Sequence, residues 1–170
     1  MRRCEFTIRR AGKADAEGLV SLWRKLVSHH EALGDRHGLS PDAARTWTKF
    51  LREHLRAKTS AVLVAESAGR LIGMGMASVR ESPPTSTSRR RGTITDLYVE
   101  PEWRRRGAGK ALVAVLLEHL RALGLAEADV TVASVNPAAA LFWEKMGAVE
   151  RRRVMTIDLG AAGGESGAAP

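Results

Sequence analysis

Apolar and polar positions alternate along residues 5–10, with Phe6 and Ile8 on one face, and this period of two predicts a half-buried strand. The period then lengthens. Leu19, Leu22, Trp23, Leu26, Val27, His30 and Leu33 recur at helical spacing. Ser40-Pro41-Asp42 combines a capping hydroxyl, a proline suited to a first turn and an acid at the positive end of a helix dipole. A second helix is predicted to start there, with Trp47, Phe50, Leu51, His54 and Leu55 on its buried face. Two β-rich runs flank Ala68-Gly69-Arg70, as in a hairpin, and residues 81–92 read as a loop rich in Pro, Ser, Thr and Arg. Residues 93–101 form a third good strand pattern. Residues 107–123 read as a helix with Ala111, Leu112, Val115, Leu116, Leu120 and Leu123 on one side. A buried strand over 128–136, a helix from Pro137 through Met146 and a last strand over 148–159 complete the pattern, with no internal repeat. This order, antiparallel first and then crossover-connected, predicts an α/β sheet with helices on both faces.

Length and composition narrow the class. The chain has 170 residues, 44% of them hydrophobic, enough for one core. One domain is expected over residues 1–159, with a disordered tail over 160–170, where no large apolar side chain occurs. Cys4 is the single cysteine, so neither an internal disulfide nor a cysteine-rich zinc site is expected. The opening residues lack the apolar core of a secretory signal, and the longest apolar run falls far short of the roughly 18 residues that span a bilayer. A soluble protein of the reducing cytoplasm is the expectation. A formal charge of +8 favours anionic partners: nucleic acid, anionic lipid or a phosphorylated cofactor.

The stretch YVEPEWRRRGAGKAL, beginning at Tyr98, selects among these partners. A helix N-terminus offers backbone N–H groups without intrahelical partners and about half a positive charge, and glycine lets a ligand approach the chain. A Walker loop fails because Arg104 and Ala111 occupy positions that require Gly and Ser or Thr. The dinucleotide fingerprint fails at Leu112, where its third glycine belongs. The remaining pattern is Arg-x-x-Gly-x-Gly, Arg104 to Gly109, behind a strand.

That segment, ITDLYVEPEWRRRGAGKAL, resembles the acyl-coenzyme A pyrophosphate segment of the Gcn5-related N-acetyltransferases (GNAT). VASVNPAAALFWEKMGAV resembles the family's later strand and helix. The resemblance implies a GNAT-like mixed, mostly antiparallel sheet flanked by helices, with splayed parallel central strands. It also implies acetyl-CoA as co-substrate. On it, the backbone of Arg105, Arg106, Gly107, Ala108, Gly109 and Lys110 cradles the pyrophosphate, and Arg104 is the arginine the family pattern singles out. Arg105 and Arg106 are either further contacts or solvated charge. Leu97 to Val99 line the pantetheine arm, with Val99 N–H as the leading oxyanion donor. Asn136 is a helix cap before Pro137, a coenzyme contact, or both, and Phe142 and Trp143 stand beside the coenzyme.

Acetyl transfer also requires a neutral amine, and a lysine-like amine is neutral only about once in 2,500 molecules at pH 7. Asp96 is the nearest acid on the central strand; its alternative is a solvent-facing or ion-paired carboxylate. The family often has Tyr where this chain has Trp143, and an indole is no useful acid. The leaving thiolate is therefore protonated by Tyr98, by water, or leaves unassisted. His29, His30, Glu31, Asp35 and His37 lie where the family builds its acceptor wall; their spacing gives no consistent metal-ligand set, and His30, Glu31 and Asp35 are taken as substrate-side residues. The expected acceptor is a small-molecule or peptide amine, with polyamines, aminoglycosides, amino acids and protein N-termini all open. No metal and no membrane contact are expected, and a homodimer is, since relatives often pair through terminal strands. Two alternatives stay open: an acyl-CoA sensor without catalysis, and a nucleic-acid module, against which the arginine triplets lie in separate elements without a reader motif.

Overall fold

The computed structural model describes residues 6–35, 38–157 and 159. Five strands, β1 (Thr7–Arg10), β2 (Ser60–Ser67), β3 (Arg70–Glu81), β4 (Arg90–Val99) and β5 (Ala128–Val130), lie in one sheet in the order β1-β2-β3-β4-β5. The first three pairings are antiparallel and β4–β5 is parallel. The β2–β3 hairpin closes through Ala68 and Gly69, both at positive φ as a two-residue turn of this hand requires.

Helices cover both faces. On one, α1 (Ala16–Ala32) and α2 (Ala43–His54) bring Leu19, Leu22, Trp23 and Leu51 onto Val62, Val64, Met74, Met76 and Tyr98. On the other, α3 (Ala108–Ala122) presses Leu112, Val113, Leu116 and Leu120 against Ala61, Leu63, Ala77 and Ile94, and Trp143 of α4 (Pro137–Lys145) joins them. The 3.6-residue pattern of α3 thus builds the core, and burying Leu112 and Leu116 completely contributes about 1.5–3 kcal/mol each.

Three expectations are corrected. The strand expected over 148–159 does not form: residues 149–157 have no regular structure, and Val154, Met155, Ile157 and Leu159 are 81–88% exposed. Alternation makes a segment competent to be a strand, but a ladder needs a partner, and among the described residues none pairs with this one. The strand expected over 128–136 stops at Val130, where the chain leaves the sheet. Helix α2 starts at Ala43, after Ser40 and Pro41; Asp42 occupies its N-cap position with its carboxylate turned to Arg45. The expected tail, 160–170, lies outside the described residues, as do Cys4 and His37.

Candidate active site

The site begins with a fault in the β3–β4 ladder. Met76 pairs with Asp96 and Ala77 with Ile94, so Thr95 is an extra, unpaired residue. This bulge reverses the side-chain alternation. Ile94, Leu97 and Val99 all face the α3 side, whereas Asp96, opposite Met76, and Tyr98 face α1 and α2. Without the bulge Asp96 would share the face of Ile94.

Pairing of β4 with β5 ends at Ile94–Val130, where β5 itself ends, so the rest of β4 has no strand partner on that side among the described residues. The N–H of Glu100 donates to the Ile72 carbonyl on β3 at 2.9 Å. Backbone groups alternate along a strand, so Val99 and Leu97 direct their N–H groups the other way, toward that unpartnered side. At the end of β4 a 3-10 turn, Pro101–Trp103, leads to the arginines. Arg105 (φ +59) and Gly107 (φ +92) both take left-handed conformations. Gly107 caps α3, and a Cβ there would meet nothing within 4 Å, so its backbone conformation rather than crowding calls for glycine. Arg105 holds the same conformation with a side chain, a strain typical of functional turns.

The arginines divide their work. Arg104 Nε donates to the Val99 carbonyl at 3.0 Å and its guanidinium lies 5.7 Å from the centre of the Tyr98 ring. Arg106 lies over Trp103, 5.4 Å from its ring centre. Ala108 is buried and Lys110 exposed. A Cβ on Gly109 would stand 3.6 Å from the Phe142 ring and 3.8 Å from Val99, which places Phe142 against the start of α3. Phe142 meets Trp143 edge-on at 5.2 Å, and Trp143 is buried in the core, a packing role. Asn136 is a cap, its Oδ1 accepting from Ala139 N at 3.0 Å.

On the other face Asp96 is a partly buried carboxyl, and burial raises its pKa above the ordinary value; the Thr95 and Trp47 side chains and the charges of His54 and His30 oppose the rise. The Tyr98 hydroxyl donates to Glu100 Oε2 at 3.2 Å, and burial and that carboxylate push its pKa up. Glu100, 7% exposed, also receives Lys25. His30 Nδ1 is 3.4 Å from Asp35 Oδ2, Glu31 is exposed, and burial and the positive Arg104 lower the pKa of His29. Among the described residues no three His, Cys, Asp or Glu side chains are grouped to hold a metal, and no helix is long and apolar enough to cross a membrane.

Sequence reasoning missed Trp47 and His54 as site residues, having assigned both to a buried helix face. The available signal was His54 itself, a titratable side chain on an apolar stripe. The buried Glu100 had no sequence signal beyond its place at the end of β4.

A model of the acetyltransferase (GNAT) family matches residues 24–148. The chain belongs to the GNAT acetyltransferase family. Among curated GNAT-like relatives, the mycothiol acetyltransferase of Segniliparus rotundus is 36% identical over 85 residues, 50% of this chain and 31% of that protein. Human N-acetyltransferase 8 is 26% identical over 117 residues, 62% of this chain and 51% of that one. The chain thus spans about half or less of these relatives. Solved structures share the GNAT fold: an aminoglycoside N-acetyltransferase in complex with CoA has a TM-score of 0.73 at 23% identity, over 91% of this chain and 94% of that one. A predicted acetyltransferase of Clostridium acetobutylicum, solved with acetyl-CoA, also has a TM-score of 0.73, at 20% identity over 91% and 97% of the two chains.

Proposed function

We propose that this GNAT protein transfers the acetyl group of acetyl-CoA to a primary amine by direct attack in a ternary complex. The observation that carries the reading is the stretch of β4 beyond Ile94 left without a strand partner on the β5 side, with the Val99 N–H directed to that side and the N-terminus of α3 at its end. A thioester arm fits beside such a stretch because only there does a central strand have backbone groups free to meet it. The pyrophosphate then lies on the amides of Arg105 to Lys110, favoured by the helix dipole.

The amine enters from the α1–α2 side, where Asp96 is directed. Asp96 takes the amine proton, the nitrogen attacks the thioester carbon, and the Val99 N–H stabilises the oxyanion. The C–S bond breaks as the carbonyl re-forms, the acetylated nitrogen gives its surplus proton to water, and the thiolate takes a proton from Tyr98 or water. Tyr98, with its raised pKa, retains its proton at neutral pH. His30, Glu31 and Asp35 form part of the acceptor wall. Small-molecule amines are the first acceptors to try, since one structural neighbour is an aminoglycoside acetyltransferase and another a glucosamine-6-phosphate N-acetyltransferase. The unpaired segment 149–157 and the free edge of β5 support a homodimer in which that segment finds its strand partner.

The test is an acceptor screen with acetyl-CoA, reading released thiol. Asp96→Asn should lower the rate about 10²–10⁴-fold at pH 7, recover as pH rises and neutral amine becomes abundant, and leave coenzyme affinity unchanged. Tight coenzyme binding with no turnover on any amine would make the protein a sensor, and DNA binding without coenzyme binding would overturn the proposal.

A further inference from the structure

Asp96 has an unusual neighbour in Trp47. The Trp47 ring stacks on Trp23 with centroids 5.1 Å apart and planes 18° apart, and Trp23 is packed into the core with Leu19, Leu22 and Leu51. An indole clamped this way has little freedom to choose its hydrogen-bond partner. Its Nε1–H is shut off from solvent and closes no hydrogen bond in this structure, a costly state for a donor. Trp47 packs against the cluster that holds Met76, the ladder partner of Asp96, and Tyr98, two residues along the same face of β4, and the indole weakens the hold of the Asp96 carboxyl on a proton. One group lacks an acceptor and the other has lost much of its water.

We propose that Trp47 is a positioning residue whose indole N–H, aimed by the Trp23 stack, donates to one oxygen of Asp96 and leaves the other for the proton of the acceptor amine. This rests on Asp96 being the base. The groups around the carboxyl are few enough to separate the contribution of Trp47. His30 faces it from α1 and His54 from α2, while Thr95 adjoins it on β4 and Met76 opposite on β3 carries no charge. His54 Nδ1 lies 2.9 Å from the Phe50 carbonyl, so that ring is oriented by its own helix. Trp47 is thus the neutral donor from the helical wall.

The experiment is a carboxyl-carbon NMR titration of the full chain, with Asp96 assigned by comparison with Asp96→Asn. In Trp47→Phe, which keeps a ring for the stack, the Asp96 midpoint should rise by about one unit or more, because a hydrogen bond to the charged form has been lost. In the unmutated protein the Trp47 indole N–H resonance should move with the same midpoint, and in Asp96→Asn that movement should vanish. A folded Trp47→Phe protein with an unchanged midpoint overturns the assignment. So does an indole resonance indifferent to Asp96, a measurement that decides the matter even if Trp47→Phe does not fold. The two proposals fail separately: wild-type acetylation by Asp96→Asn removes the base, whereas a slow Asp96→Asn with unmoved titrations removes Trp47 alone.

Discussion

Adding carbon at Gly109 should damage coenzyme binding without damaging the protein. Gly109 is the second residue of α3, and a Cβ built on it lies 3.6 and 3.7 Å from Phe142 ring carbons and 3.8 Å from Val99 Cγ2, all ordinary contact distances. The fold therefore accepts alanine, and a helix favours it over glycine by up to about 1 kcal/mol. The same Cβ enters the corner between the end of β4 and α4, where the pyrophosphate is proposed to lie. If Gly109→Ala displaces the phosphate from one amide, it loses about 1.5 kcal/mol, near tenfold in affinity. Gly109→Val adds two more carbons, and losing two such bonds costs about 3 kcal/mol, two orders of magnitude. Gly107→Ala is the contrasting change. It adds an atom to open space but strains a residue at φ +92, so it should destabilise the free protein by about 1–2 kcal/mol. Calorimetry with CoA and thermal melts of ligand-free protein separate the two. Unchanged affinity in Gly109→Val, in a protein that melts normally, would refute the placement of the coenzyme.

Two further outcomes follow from the geometry. His119 Nδ1 accepts from Arg10 Nη2 at 2.9 Å while its Nε2 is buried without a partner, and burial and the arginine lower its pKa below 6.5. The unfolded chain therefore binds the proton more readily, so this contribution to stability is complete above pH 6.5 and is lost as pH falls through the folded value. His119→Asn should flatten the fall of the melting temperature between neutral and mildly acid pH, and an unchanged slope would show that His119 does not set it. For the proposed dimer, sedimentation should give twice the chain mass, and replacing Met155 and Ile157 with lysine should halve it; a concentration-independent monomer in the unaltered protein rules the dimer out.

What the sequence disclosed and what it hid follow from the range of the interactions involved. The α3 helix was legible because its apolar stripe and glycine step are local, and the β2–β3 hairpin because Ala68-Gly69 is a turn of known hand. The end of the 148–159 segment, from Met155 on, alternates apolar and polar residues as a strand does, yet its pairing depends on a partner that no local pattern supplies. The same holds for Asp96. Its residue type was visible, but its direction depends on Thr95 having no opposite number on β3, a matter of register between two strands. Trp47 and His54 were hidden for a related reason, since a stripe of apolar residues cannot tell which of them reach past the core to the neighbouring strand.

The three arginines beside two glycines admit a more specific account than added positive charge. Arg104 is already engaged by its bond to the Val99 carbonyl and its position over Tyr98, which ties the start of the turn to the end of β4. From that tie the chain must reverse into α3 within a few residues, and it does so through left-handed backbone at Arg105 and Gly107. A reversal of this kind gathers successive backbone N–H groups into a concavity that suits an anion. The proposed phosphate site is thus one made mainly by main chain, with Arg104 fixing where the turn begins and Gly107 allowing it to close. Charge alone would survive any rearrangement of the triplet. A geometric site would not, so Arg104→Lys, which keeps the charge but loses the guanidinium geometry, should weaken CoA binding more than Arg105→Lys does.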